Sequence, residues 1–220
     1  MKFIIEKRNY IILFLIVILV LWLGVMKKNR VFLKSFNFND KTITVAIYDK
    51  VDTKKVSNRI YKIYNKYEKT KYLDEVSYGS ESLFGVEDEN IIFSFATNDV
   101  LDYLKGEKIE KYIINADGNV VTGKRYGMNK YNISISDPNS GEILKIVSLE
   151  NQSMVTVNDG IYDTMVVIGN NIVETTITAQ NIKNSNTKEG KDYVLKHDSN
   201  AFWYINKEIF MTENFKNYIV

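Results

Sequence analysis

Cysteine is absent from this 220-residue chain, and proline and histidine occur once each. The first absence excludes disulfides, thiolate metal sites, a cysteine nucleophile and a lipid-modified N-terminal cysteine. It leaves the redox compartment open. A single histidine, His197, rules out a histidine-rich metal centre, and its place near a helix end reads as a solvated residue where a cation is favoured. Charge of one sign is lacking too. The 29 Lys and Arg stand against 27 Asp and Glu, interleaved throughout. A nucleic-acid binder needs a basic stripe to neutralise phosphates, so no nucleic-acid partner is expected.

What is present is apolar and aromatic. Apolar residues make up 45% of the chain, with 15 Tyr and 11 Phe, enough for one membrane anchor and one globular domain. From Asn9 to Met26, NYIILFLIVILVLWLGVM carries no charge. At 1.5 Å per residue it would give roughly 27 Å of helix, close to the thickness of a hydrocarbon core. Tyr10 and Trp22 stand near its ends, where amphipathic rings prefer the interface. A cleaved signal peptide is the alternative, but the run ends in MKKNR without a small-residue cleavage pair. The expected organisation is a single-pass anchor over residues 1–28, contacting the membrane through 10–26, a linker over 29–37, and a domain over 38–220. Lys27, Lys28, Arg30 and Lys34 slightly outnumber Lys2, Lys7 and Arg8 across the span. By the positive-inside rule this leans weakly toward a cytoplasmic domain.

TITVAIYD (residues 42–49) alternates like a half-buried strand, and Val56, Ile60, Ile63 and Tyr67 then mark one face of a helix capped by Asp52 or Thr53. Residues 70–89 read as loop, NIIFSF as a strand, and TNDVLDYLKG as a short helix with Thr97 at its N-cap and Gly106 as its stop. KYIIN, NVVTG, YNISIS, ILKIVSL, SMVTVN and TMVVIG follow as strands separated by Asp-Gly, Pro-Asn-Ser-Gly and Asn-Asp-Gly turns. NNIVETTITAQNIKN reads as helix despite its three threonines. TKEGKDYVLKH reads as helix, and AFWYINKE with IFMT as a last hairpin. The fold class is α+β, a largely antiparallel sheet with flanking helices, preceded by one transmembrane helix.

Within YIINADGNVVTG (residues 112–123), Asp-Gly is ordinary hairpin chemistry. The same stretch can also be read as a loop that once held a nucleotide phosphate. The order of the segments resembles the ApbE family, the FAD:protein FMN transferases, from about residue 38 onward. NDKTITVAIYD is similar to its opening strand. IIFSFATNDVLDYLKGEKIEKYIINADGNVVTG is similar to its strand-to-helix turn and N-x-G-G loop. YNISISDP resembles its W-x-V-x-I-x-D-P strand, SMVTVNDGIYD its A-V-A-T-S-G-x-Y, and MVVIGNNIVETTITAQ the element carrying its D-A-x-x-T-A magnesium motif.

The resemblance implies magnesium-dependent transfer of FMN from FAD to a threonine of an acceptor flavoprotein. Asn115, Gly118 and the turn from Thr156 to Gly160 would line the FAD site, with Asp117 in place of the loop's first glycine. Glu174 and Thr178, one turn apart on one helical face, would hold magnesium, and Asp159 would receive the acceptor's proton. Family precedent puts the domain on the outer side of the cell membrane. The chain departs from the pattern as well. The segment before IIFSF is cut to 70–89, the family's histidine-bearing H-I-I-D-P-x-T-G segment is missing, and Thr97, Asn98 and Asp99 replace Lys-Gly-Tyr. Asp117 and Asp99 would repel an anion, and Glu174 is equally an ordinary first-turn acid. The alternative is therefore a catalytically inactive binding or scaffold module in a membrane flavoprotein or redox complex.

Overall fold

The computed structural model describes residues 31–38, 41–78, 81–125, 130–157, 164–184 and 200–220. The anchor segment, Asp159, Gly160, His197 and the helix expected at TKEGKDYVLKH lie outside them. No helix among the described residues is long and apolar enough to cross a membrane.

Eight strands form one antiparallel sheet in the order β1-β2-β5-β6-β9-β10-β11-β12. They are β1 (Phe32–Phe38), β2 (Lys41–Ile47), β5 (Tyr112–Ala116), β6 (Asn119–Thr122), β9 (Ser153–Val157), β10 (Thr164–Gly169), β11 (Asn200–Ile205) and β12 (Glu208–Met211). Two hairpins stand apart, β3 (Leu73–Tyr78) with β4 (Glu81–Val86) and β7 (Tyr131–Ser136) with β8 (Ile143–Leu149).

Alternation along the strands explains the layers. Ile43, Val45, Ile47, Ile114, Val121, Val155, Met165, Val167 and Trp203 face a core shared with α1 (Thr53–Glu68), α2 (Glu89–Gly106) and α3 (Ile172–Asn184). Their neighbours Val120, Met154, Val166, Ile168 and Phe202 point to the opposite face. There they pack under Ile135, Val147, Leu149 and the short C-terminal helix α4 (Glu213–Lys216). Strands buried on both faces read as apolar runs rather than alternations, as TMVVIG does. The expected antiparallel α+β class is what the chain adopts.

Three expectations are corrected. Phe32 and Phe36 of the supposed linker, with Phe38 just after it, bury one face of an edge strand paired with β2. Within residues 70–89, expected as loop, Leu73–Tyr78 and Glu81–Val86 pair as antiparallel strands. NIIFSF and TNDVLDYLKG are a single helix, α2, which begins eight residues before the expected cap. Asp88 accepts hydrogen bonds from the backbone N–H of Asn90 (2.8 Å) and Ile91 (3.0 Å). Ile92, Ala96, Val100 and Leu104 then repeat at helical spacing toward the core, and that burial overrides the β-propensity of the aromatic and branched residues. Thr97 is buried inside the helix, its hydroxyl 3.1 Å from the Phe93 carbonyl and 3.0 Å from the Tyr64 hydroxyl. The threonines of α3 are accommodated in the same way. Thr175 and Thr176 donate to the carbonyls of Asn171 (2.6 Å) and Ile172 (2.7 Å), satisfying hydroxyls that would otherwise be buried unpaired.

Candidate functional site

The Ala116–Asn119 turn joins β5 to β6 with two residues, Asp117 at φ 54° and Gly118 at φ 87°. Positive φ at both positions is the type I′ geometry that Asp-Gly serves. Asn115 Oδ1 accepts from the Gly118 N–H at 2.9 Å and closes the turn. No atom lies within 4 Å of where a Gly118 Cβ would stand. Gly118 therefore answers to the sign of its backbone angle, not to a crowding neighbour.

Beside this turn lies a polar pocket of about 250 Å³, lined by Asn90, Asp117, Asn119, Thr156, Gln180 and Lys183, with two valines. Four elements converge on it. Asn90 comes from the first turn of α2, fixed by the Asp88 cap. Asn119 opens β6 and accepts from the Thr156 N–H at 3.2 Å. Gln180 is 5% exposed, and its side-chain amide has no hydrogen-bond partner among the described residues. Lys183 makes no ion pair among them.

A larger pocket of about 620 Å³ adjoins it, with Phe38, Tyr67, Ile92 and Phe93 along one part of its wall and Glu68, Glu87, Glu89 and Lys71 along another. Lys41 lies at the boundary. It lines the larger pocket while its Nζ reaches two residues of the smaller one, 3.4 Å from Asn90 Oδ1 and 3.7 Å from Asp117 Oδ2. It also lies 5.4 Å from the centroid of the Phe93 ring, within the range of a cation–π contact. Tyr67 donates to Asp99 at 2.9 Å. Burial, reinforced by that carboxylate, pushes its phenol well above its ordinary range. Asp99 is thus occupied within the helical layer and heads no helix N-terminus.

The residues expected to act together do not all meet. Asp117 and Thr156 share the 250 Å³ pocket, while Asn115 and Gly118, bonded to each other at the same turn, are not among its walls. Glu174 and Thr178 share a different one of about 130 Å³, with Gly169, Thr175 and Asn200. Gln180 and Lys183 of the first pocket and Glu174 and Thr178 of the second all belong to α3, but at about 100° per residue Thr178 and Gln180 leave the helix roughly 160° apart. The face meeting the turn carries Gln180 and Lys183, not Glu174 and Thr178. Asn171 caps α3, accepting from the N–H groups of Val173 (2.8 Å) and Glu174 (3.3 Å). Glu174 thereby sits in the first turn, where an acid is favourable without any ion.

The donor chemistry of the two small pockets differs accordingly. At Glu174 a cation meets one carboxylate and the Thr178 hydroxyl, while Thr175 donates to Asn171 and Asn200 to the Ile168 carbonyl at 3.1 Å. Magnesium commonly binds one or two carboxylates and completes its shell with phosphate and water. This pair fits an ion held jointly with a ligand rather than a resident one. No group of three or more carboxylate or histidine side chains suited to a metal occurs among the described residues. The pocket at Asp117 has amides and two lysines nearby, which suits an anion. Lys41, Gln180 and Lys183 escaped the sequence reading. The i, i+3 relation of Gln180 and Lys183 was the available signal, hidden by a motif match one face away.

The sequence profile of the ApbE family matches residues 90–181, from the first turn of α2 to the last turn of α3. No curated protein matches in sequence. Among solved structures, the apo flavinyl transferase ApbE of Pseudomonas stutzeri is similar with a TM-score of 0.70 and 12% identity, covering 88% of this chain and 99% of that one. The flavin transferase ApbE of Vibrio cholerae gives 0.70 and 10%, covering 86% and 99%. The ApbE protein of Thermotoga maritima gives 0.69 and 9%, again covering 86% and 99%. The resemblance to the ApbE family thus holds in sequence across the two core helices and the strands between them, and in fold across most of the chain.

Proposed function

We propose that this chain is a membrane-tethered flavin-nucleotide-binding protein of the ApbE type. It holds FAD across the two adjoining pockets, with phosphates near Lys41 and Lys183 and a ring system against Phe38 and Phe93. The observation that carries this reading is the position of Lys41, whose ammonium joins a polar pocket to an aromatic-walled one. The larger pocket, at about 620 Å³, is within the range of ligand sites, and the smaller, at about 250 Å³, falls below it.

The resemblance to the FAD:protein FMN transferases extends the reading to transfer of FMN from FAD onto a threonine of an acceptor flavoprotein. In that step the pyrophosphate P–O bond breaks and AMP leaves as the phosphorus bonds to the threonine oxygen. Glu174 and Thr178 would then present a carboxylate and a hydroxyl to magnesium, which supplies neutralisation of charge as a phosphate moves to the acceptor hydroxyl. Asp159 would take that hydroxyl's proton. A second reading is favoured by the placement of Glu174 and Thr178 on a face of α3 turned from the anion-suited pocket. In it the chain binds the nucleotide and a partner flavoprotein without transferring anything.

The test is a titration of FAD into the detergent-solubilised full chain, following flavin fluorescence with and without magnesium. Lys183→Ala is expected to weaken binding about tenfold, the size of one lost charge-assisted hydrogen bond. If Glu174→Ala abolishes the magnesium dependence, transfer onto an acceptor becomes the next assay. Binding indifferent to both magnesium and Glu174 selects the second reading. Absence of FAD binding in either condition removes both.

A further inference from the structure

The two adjoining pockets at Lys41 lie at one end of the large sheet, and the chain enters the sheet at the other. β1 begins at Phe32, which pairs with Ile47 at the end of β2, and Ile47 pairs in turn with Tyr112 at the start of β5. β1 ends at Phe38 beside Lys41, and Lys41 reaches Asp117 in the turn at the pocket mouth. At about 3.4 Å per residue, the six steps from Phe32 to Phe38 separate the two ends by roughly 20 Å.

The entry end has the composition of an interfacial surface. Val31, Leu33 and Tyr48 are exposed there, Leu33 by 69%. Leu33 lies on the sheet face that the helices leave uncovered, where the rest of β1 presents Ser35 and Asn37. The Tyr48 ring is supported by Tyr131, centroids 6.0 Å apart. Lysines surround these residues. Lys111 is 3.9 Å from Asp49 and Lys124 is 3.1 Å from Glu110, with Lys50 also exposed. Tyrosine and lysine together are the residues that settle at headgroup level, ring in the interface and ammonium toward water.

Chain length decides what covers this end. Only residues 27–31 separate the apolar run ending at Met26 from the first residue of β1. The seven steps from Met26 to Leu33 reach at most about 25 Å when fully extended, so a bilayer holding residues 9–26 lies within that distance of Leu33. We propose that the Val31, Leu33 and Tyr48 end of the sheet rests on the lipid surface, so that the pocket pair opens away from the membrane at the far end. An acceptor would then be met by its water-exposed part and not at the bilayer plane. This inference rests on the anchored reading above, and the experiment separates the two.

The chain has no cysteine, so one introduced thiol can be labelled uniquely. Leu33→Cys and Asn37→Cys place a probe on the same strand and face, four residues and roughly 14 Å apart. Both sites are exposed and tolerate a small polar residue. Each full-length variant, labelled with an environment-sensitive fluorophore, is reconstituted into phosphatidylcholine vesicles with and without headgroup-nitroxide lipid. Flotation is scored first. If the chain floats with vesicles and the label at 33 is quenched at least twofold more than the label at 37, the proposal stands. Equal or reversed quenching in floating protein overturns the resting surface and leaves the anchor intact. Failure to float overturns the anchor and the surface with it.

Discussion

The Lys41 ammonium lies 3.7 Å from the Asp117 carboxylate, across the mouth of the polar pocket. The lysine side chain is 13% exposed and the aspartate 48%, so the pair is half solvated and weak in itself. Its consequence is for ligands. Asp117 offsets the positive charge that a phosphate would seek at Lys41. Asp117→Gly removes the carboxylate at a position whose φ of 54° glycine adopts freely. FAD affinity is expected to rise about three- to tenfold, from roughly 1 kcal/mol of relieved repulsion, with stability unchanged to within about 1 kcal/mol. Fluorescence titration beside a melting curve checks both. Unchanged affinity would place the phosphates away from this turn.

Gly123 closes the stretch that begins at Tyr112, and its role is steric. A Cβ there would stand 2.2 Å from the Glu110 carbonyl oxygen and 2.7 Å from the Tyr112 ring. One of these neighbours is backbone, which cannot step aside. Gly123→Ala should therefore cost about 1–3 kcal/mol, read as a fall of a few to about ten degrees in Tm. Gly106→Ala is the matched control. It ends α2 with nothing within 4 Å of its Cβ, so alanine there should leave Tm unchanged or raise it.

Gly118 shows where the sequence was legible. Asp-Gly between alternating strands announced its own turn, and the structure supplies its two positive φ angles. The antiparallel class, α1 with its Asp52 cap, and α3 despite its threonines were all readable, because local chemistry and burial agree in them. Residues 90–95 were not, because their aromatic and branched content argues for a strand while burial of Ile92 in line with Ala96, Val100 and Leu104 extends the helix read over 97–106 back to Glu89. The site was legible only in part. Asp117 and Thr156 line one pocket, but motif spacing fixes which residues share a helical face, not which face meets the turn. That is set by how α3 packs on β9, β10 and α2.

Asp88 gives a test of where α2 begins. Its carboxylate accepts from the N–H groups of Asn90 and Ile91, two of the four donors that the first turn leaves unpaired. Asp88→Ala is expected to cost about 1 kcal/mol in urea denaturation. The amides of Asn90 and Ile91 should lose hydrogen-exchange protection in the same variant. Because Asn90 lines the polar pocket, FAD binding should weaken modestly alongside. A variant with unaltered exchange at these amides would argue that the helix starts nearer Thr97.

Buried phenols set the alkaline limit of the fold. Burial raises Tyr131 to about 12, and it pushes Tyr64, Tyr67 and Tyr112 upward as well. In the unfolded chain these groups titrate near 10. A folded-state pKa above the unfolded one means that the folded protein keeps protons which the unfolded chain releases. The associated stability is fully present below about pH 10 and is lost as pH rises through the folded values. The urea midpoint should hold steady from pH 7 to about 9.5 and decline between about 10 and 12. Tyr131→Phe removes one of these titrating groups while keeping the ring against Tyr48, so its decline should be shallower than that of the parent chain. A midpoint as flat at pH 12 as at pH 8 would mean that these rings are open to water, and the packing of the helical layer against the sheet would have to be revised.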